Sequence, residues 1–150
     1  MAAKSQEVIE MLKVAYNMEL ETVLNYLANS TNPDGVRAEE IKKSLAADIT
    51  AELGHAQQLA SRIKQLGGFV DGSGGLKFGS QEQPPKTTTD ITSVIKAVIK
   101  AEEAACAQYK KIISAVEGDD YVTQDLCIKL LADEEEHLIL FKGFLKEYTQ

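Results

Sequence analysis

The sequence predicts an all-α fold, a four-helix bundle with a long crossover between its second and third helices. Three observations predict it. Four segments, about 5–29, 38–66, 90–116 and 120–148, each carry an apolar stripe of helical period. The prolines, at positions 33, 84 and 85, all fall outside those segments. Two short gaps bracket one long glycine-rich gap, an alternation that leaves the middle pair of helices joined by a crossing instead of a tight turn.

The first helix runs from Ser5 to Asn29, with Val8, Leu12, Ala15, Glu19, Val23 and Tyr26 on one stripe. Asn32-Pro33-Asp34-Gly35 stops it. The second runs from Ala38 to Leu66 and turns Ile41, Leu45, Ile49, Ala56, Leu59 and Ile63 inward, ending on Gly67-Gly68 as a C-cap. A bundle helix of about 25 residues is roughly 37 Å long. About a dozen extended residues cover that distance, so the stretch from Gly67 to Thr89 is long enough to cross the bundle. The second and third helices then run parallel. Gly74-Gly75-Leu76-Lys77-Phe78 is expected to lie on the surface as a short strand-like piece. Thr89-Asp90 caps the third helix, which carries Val94 or Ile95, Val98, Glu102, Cys106, Tyr109 and Ile113. After the turn Glu117-Gly118-Asp119-Asp120, the fourth helix follows through Val122, Leu126, Leu130, Glu134, His137, Leu138, Phe141 and Leu145.

Both histidines end the same four-residue pattern, Glu52-Leu53-Gly54-His55 and Glu134-Glu135-Glu136-His137. On a helix, residues three apart share a face. The halves of the chain also echo each other. Glu19 stands seven residues before Tyr26 and Glu102 seven before Tyr109; Glu19 precedes Glu52 by 33 residues and Glu102 precedes Glu134 by 32. The echo selects Glu102 over its neighbour Glu103. Two Glu-x-x-His pairs on two helices, with single glutamates from two others, compose a carboxylate-bridged two-metal site.

The candidate metal ligands are therefore Glu19, Glu52, His55, Glu102, Glu134 and His137. Glu52 and Glu134 are placed to bridge, Glu19 and His55 to complete one ion, and Glu102 and His137 the other. Carboxylate with imidazole suits iron, manganese or zinc. Four carboxylate charges balance two divalent ions, which offsets much of the cost of burying them. Empty, the carboxylates repel each other and hold protons. Tyr26 and Tyr109 either hydrogen-bond a ligand, donate electrons, or simply pack the core. Asp133 and Asp48 fall one position outside the ligand face, within reach of the histidine nitrogens. A lone Glu-x-x-His pair is common on surface helices, but here Ile49 and Ala56 flank Glu52, and Leu130 and Leu138 flank Glu134. Glu135 and Glu136 read as solvated surface charge, and Cys106 and Cys127 as small buried fillers.

Composition excludes several classes. A net charge of −7 argues against a non-specific nucleic-acid surface. No run of apolar residues is long enough for a membrane span, and the first residues turn polar at once, so neither a span nor a secretory signal is expected. Two cysteines without a CxxC spacing form neither a disulfide framework nor a thiolate knuckle. A cytoplasmic location follows.

At these residues the chain resembles the ferritin-like superfamily, and within it looks closest to bacterioferritin. The resemblance rests on Asn17-Met18-Glu19-Leu20 with Tyr26, on the Glu52-to-His55 pair, and on Asp120-Tyr121-Val122-Thr123-Gln124-Asp125-Leu126 followed by Leu131-Ala132-Asp133-Glu134-Glu135-Glu136-His137. It covers the first, second and fourth helices, matches the third loosely and the crossover poorly. It implies two irons oxidised from Fe(II) by O2 or H2O2, and a homo-oligomer of at least two chains. Leu53 stands where bacterioferritin has its haem-binding methionine, so haem is not expected. The chain ends at Gln150 without the short fifth helix that helps close 24-subunit storage shells. Dps-type proteins usually build their iron site between subunits from other residues. Rubrerythrins share the two-metal bundle but carry a rubredoxin-like domain not expected here. Three functions follow: Fe(II) oxidation serving iron binding, detoxification or storage; a rubrerythrin-like peroxidase or small di-iron oxygenase; and a metal-free structural bundle.

Overall fold

The computed structural model describes residues 2–150. Its helices are α1 (Ala2–Asn29), α2 (Glu39–Gln65), α3 (Ile91–Ala115) and α4 (Tyr121–Tyr148), with single 3-10 turns at Val36–Ala38 and Ser73–Gly75. All four fall where the apolar periodicity puts them, α1 starting a turn early. The caps at Gly67-Gly68 and Asp90 are also as read, and Asp120, read only as part of a turn, is a further one. Gly67, at φ 89°, donates to Lys64 O (3.0 Å) and Gly68 to Ile63 O (2.9 Å), the paired closure that a left-handed residue permits at a helix end. Asp90 and Asp120 accept from the backbone N–H of Ser93 and Thr123 and start α3 and α4.

Two apolar plugs fix the arrangement. The first joins Val8, Ile9 and Leu12 of α1, Leu59 and Ile63 near the end of α2, Ile112 and Val116 at the end of α3, and Cys127 and Leu130 early in α4. The second joins Tyr26 of α1, Ile41 and Leu45 from the start of α2, Ile91 to Val98 from the start of α3, and Phe141 from late α4. Because α2 and α3 begin in the same plug and end in the same plug, they run parallel. α1 packs on α2 and α3 on α4 as antiparallel pairs, α1 also meets α3, and α2 and α4 approach less closely.

The crossover runs beside α1 in the direction of α1. Asn17 pairs with Lys77 through both its amide groups, each bond 2.8 Å. Gln81 N donates to Glu21 (2.6 Å) and the Gln81 side chain to Thr22 (2.9 Å). Asp34 N closes on Thr88 O at 2.9 Å.

Four expectations need correction. No strand occurs among the described residues: Ser73–Gly75 is a 3-10 turn, and the backbone groups of Lys77 bond to the Asn17 side chain instead of a neighbouring strand. Val122 is 60% exposed; the adjacent Thr123 takes the inward position because Arg62 Nε donates to its hydroxyl (2.9 Å). Ile112, not Ile113, is the fully buried residue late in α3, although Ile113 packs against the same plug. On α1, Val23 is only partly buried, whereas Glu21 and Thr22 are covered by the crossover.

Candidate metal centre

Between the plugs lies a belt of charge. Glu19, Glu52, His55, Glu102 and Glu134 are buried and His137 nearly so. Each sits on the inward stripe of its helix, one turn or more from an apolar plug residue, so the periodicity that buries Leu12 or Leu59 also buries the carboxylates. Glu103, Glu135 and Glu136 are exposed, as read.

The six side chains form two overlapping groups. Glu19, Glu52, His55 and Glu134 present ligand atoms within 4.8 Å of one another, and so do Glu52, Glu102, Glu134 and His137. Glu52 and Glu134 belong to both. His55 Nδ1 lies 2.7 Å from Glu134 Oε1 and 3.3 Å from Glu19 Oε2. His137 Nδ1 lies 3.1 Å from Glu52 Oε1 and 3.8 Å from Glu102 Oε1. Outside this ring, Tyr109 donates to Glu19 Oε1 (2.8 Å) and Tyr26 to Glu102 Oε1. Asp133 and Asp48 stand at the Nε2 atoms of His55 (3.0 Å) and His137 (3.5 Å).

The protons follow the geometry. Burial pushes Glu52 up to about 8, reinforced by Glu19 and opposed by the two imidazoles. Burial also penalises Glu19, but the closeness of Glu52 and His55 and the hydrogen bond from Tyr109 leave it below its ordinary value. A proton shared by this pair thus rests on Glu52. Burial raises Glu102 against the pull of His137 and Tyr26. Burial works against both imidazolium ions, yet Glu19 and Glu52 raise His55 to about 11, and Glu102 and Glu52 raise His137 to about 10. Burial, then Glu102 and Glu19 respectively, keep the hydroxyls of Tyr26 and Tyr109 protonated, as donors.

Even so, Glu19 Oε2, both oxygens of Glu52, His55 Nδ1, Glu102 Oε2, Glu134 Oε1 and His137 Nδ1 are buried without a hydrogen-bond partner. Buried polar atoms left unpaired cost free energy. Unpaired oxygen and imidazole donors gathered this closely fit cations that accept such donors, with iron, manganese and zinc the natural candidates. What spacing alone did not reveal is which glutamate meets which histidine, because that depends on how far α4 slides along α2. Cys106 and Cys127 are buried free thiols, with burial pushing Cys127 up to about 12.

A four-helix bundle with one crossover, carrying a buried belt of four glutamates and two histidines, has the fold and donor set of a di-iron ferroxidase-type protein. The chain belongs to the family described as the ferritin-like domain, whose model matches residues 9–150. It is 30% identical over 133 residues to the bacterioferritin of Brucella melitensis, covering 88% of this chain and 78% of that one. It is 26% identical over 148 residues to the DNA protection during starvation protein of Pyrococcus furiosus, covering 93% and 77%. Among solved structures, the bacterioferritin-related protein of Bacteroides fragilis, described as a dodecameric thioferritin, superposes with a TM-score of 0.85 at 23% identity, covering 97% of this chain and 88% of that one. Kinship therefore extends to both bacterioferritin and Dps-type names. No helix among the described residues is long and apolar enough to cross a membrane.

Proposed function

We propose that residues 1–150 act as one ferritin-like di-iron domain that oxidises Fe(II) with O2 or H2O2 and so contributes to iron binding, detoxification or storage. The observation that carries this reading is the pair of overlapping ligand groups sharing Glu52 and Glu134. Two divalent positions a bridging carboxylate apart are what a two-electron oxidation needs.

Glu52 and Glu134 would bridge; Glu19 and His55 would complete one position, Glu102 and His137 the other. Two Fe(II) ions held there supply two electrons to one O2, or to one H2O2. The chain's own residues prepare for that. Tyr109 and Tyr26 each hold one oxygen of a terminal carboxylate and leave its other oxygen buried without a partner. The protons on Glu52 and on both imidazoles at neutral pH must leave before those atoms can act as ligands, and they are then available to reduced oxygen. The two tyrosines are also close enough to the belt to donate electrons.

A homo-oligomer of at least two chains is part of the proposal, supported by Leu24, Leu27 and Leu53, which expose apolar side chains on α1 and α2. A cytoplasmic setting is supported by the two free thiols. Haem is not part of the proposal, because position 53 offers leucine.

Anaerobic titration of metal-free protein with Fe(II) tests the reading. Two ions per chain are expected, with binding lost or weakened in Glu52→Ala and Glu134→Ala. Equal binding by wild type and both variants would refute it.

A further inference from the structure

A second polar feature lies outside the belt, where the crossover passes α3. Ala97, Ala101 and Ala104 fall on one face of α3. With no side chain beyond Cβ they leave a gap beneath the crossover, and the gap has two parts. An outer vestibule of about 340 Å³ lies between these alanines, Lys100 and the crossover residues Gln81 and Glu82. An inner chamber of about 10 Å³ lies against Tyr26, Asn29 and Val98. Gln81, Glu82, Ala97 and Ala101 line both, so the two adjoin. Gln81 stands at the junction, held to α1 by Thr22 (2.9 Å), the Met18 carbonyl (3.3 Å) and Asn25 (3.1 Å). Asn29 follows Tyr26 by three residues, on the same face of α1. The Tyr26 hydroxyl donates to Glu102, so the chamber ends against the belt.

Charge, size and hydrogen bonding define the guest. The vestibule carries one charge of each sign, Glu82 and Lys100, and these pair at 2.6 Å. It therefore favours a neutral molecule over an ion. The chamber has about the room that one water needs, so it takes a guest of roughly one or two heavy atoms. Asn29 is 2% exposed and its Oδ1 is buried without a partner. A guest that donates a hydrogen bond there offsets a cost the chain otherwise bears. Water meets all of these terms. Of the two oxidants of Fe(II), O2 is small and neutral but donates nothing, whereas H2O2 donates from both oxygens. We propose that the chamber at Tyr26 and Asn29 seats and admits H2O2, supplying the Glu102 side of the belt with peroxide in preference to O2. The proposal rests on the di-iron reading above. H2O2 consumed there takes one electron from each of two Fe(II) and gains two protons; its O–O bond breaks and two waters form.

Two substitutions test this without touching a candidate ligand. Ala97→Leu fills the junction from a half-buried position, and Asn29→Leu keeps the size of the side chain while removing the acceptor. Thermal melting identifies which variants fold, and either one suffices. In metal-free protein, NMR of labelled alanine and valine methyls reports the guest. H2O2 titrated into wild type should shift the Ala101 and Val98 methyls saturably, and neither variant should show that shift. In Fe(II)-loaded protein, stopped-flow oxidation rates are compared with H2O2 and with O2. The ratio of the two rates should fall about tenfold in Asn29→Leu, the worth of one hydrogen bond, and at least as far in Ala97→Leu. The proposal is overturned if the wild-type methyls do not respond saturably, as when water alone holds the chamber. It is equally overturned if the variants keep the saturable shift, or if the rate ratio stays at its wild-type value. Equal slowing with both oxidants would make the chamber a common entry and overturn the preference for peroxide. Failure of the di-iron reading shows separately, as wild type that binds no Fe(II) anaerobically whatever the methyls do.

Discussion

Glu52 lies closer to the histidine of the other helix than to its own. Its Oε1 is 3.1 Å from His137 Nδ1 on α4, whereas its Oε2 is 3.7 Å from His55 Nδ1 one turn along α2. Glu134 reciprocates, 2.7 Å from His55 Nδ1. Each Glu-x-x-His pair is thus split between partners, and the helices α2 and α4, which approach less closely than the packed pairs, are cross-linked through polar groups. A cation seated in the belt would tie the same two helices together, so metal binding and fold stability are linked.

Thermal unfolding should report that linkage. A ligand bound only by the folded state at about a hundred times its dissociation constant adds about 2.7 kcal/mol. For a chain of this size that raises Tm on the order of 5–10 °C. Scanning calorimetry with Zn(II) or Co(II) should show the rise in wild type and its absence in Glu134→Ala. Unchanged melting of wild type at saturating metal favours the metal-free structural bundle.

The metal-free protein should lose stability as pH rises. Glu52, His137 and His55 all have folded pKa values raised above their ordinary ones, to about 8, 10 and 11. The folded state therefore holds protons that the unfolded chain releases. The contribution of Glu52 is complete below about 4.5 and lost by about pH 8; those of the histidines are complete below about 6.5 and lost through about pH 10–11. Urea midpoints from pH 5 to 9 should fall steadily. Saturating metal, which displaces these protons, should flatten the slope.

The bundle was legible because long amphipathic helices with glycine, proline and aspartate at their ends leave few alternatives. The candidate belt was legible because each half of the chain repeats glutamate, tyrosine and Glu-x-x-His at matching intervals. Glu21 was not. It lies two positions from Glu19, on a face that helical periodicity assigns to solvent, and the crossover covers it through Ser80 (3.2 Å) and the Gln81 amide (2.6 Å). Hydropathy shows that a long segment exists, not which helix it lies along. Val122 failed for a related reason: a hydrophobicity pattern chooses valine, while a buried hydrogen bond from Arg62 favours Thr123.

Glu21→Ala provides a control on that distinction. It strips two donors of a buried acceptor, so denaturant unfolding should show a loss of about 1–3 kcal/mol. Metal stoichiometry should stay as in wild type. Loss of a bound ion in Glu21→Ala would mean that Glu21 serves the centre as well as the crossover.

Tyr109→Phe and Tyr26→Phe should each destabilise the metal-free protein by about 1.5–3 kcal/mol, the range for a hydrogen bond to a charged group. Each removes the tyrosine hydroxyl that donates to a buried terminal carboxylate, Glu19 or Glu102. Rapid-freeze EPR during Fe(II) oxidation separates positioning from electron donation. A tyrosyl signal abolished by one substitution and kept by the other would assign the donor; no signal in wild type would leave both residues as positioning groups.

Glu52→Gln should separate the stability of the bundle from its capacity for metal. At pH 7 the Glu52 carboxyl largely keeps its proton, since burial and Glu19 hold it at about 8. A neutral amide of the same shape therefore changes little in the metal-free fold at that pH. Above pH 8 wild type must carry an additional buried negative charge and the variant does not. Urea midpoints of the two proteins should lie closest near pH 4.5 and diverge as the pH rises to about 8, with Glu52→Gln the more stable at pH 9. Metal reverses the comparison. A bridging position needs a carboxylate, and Glu52 belongs to both ligand groups, so saturating Zn(II) or Co(II) should raise the Tm of wild type and leave that of the variant nearly fixed. A variant less stable than wild type at pH 9 without metal would show that the Glu52 charge is already compensated by His137 and His55. In that case the belt would be a self-satisfied ion network instead of a site held ready for cations.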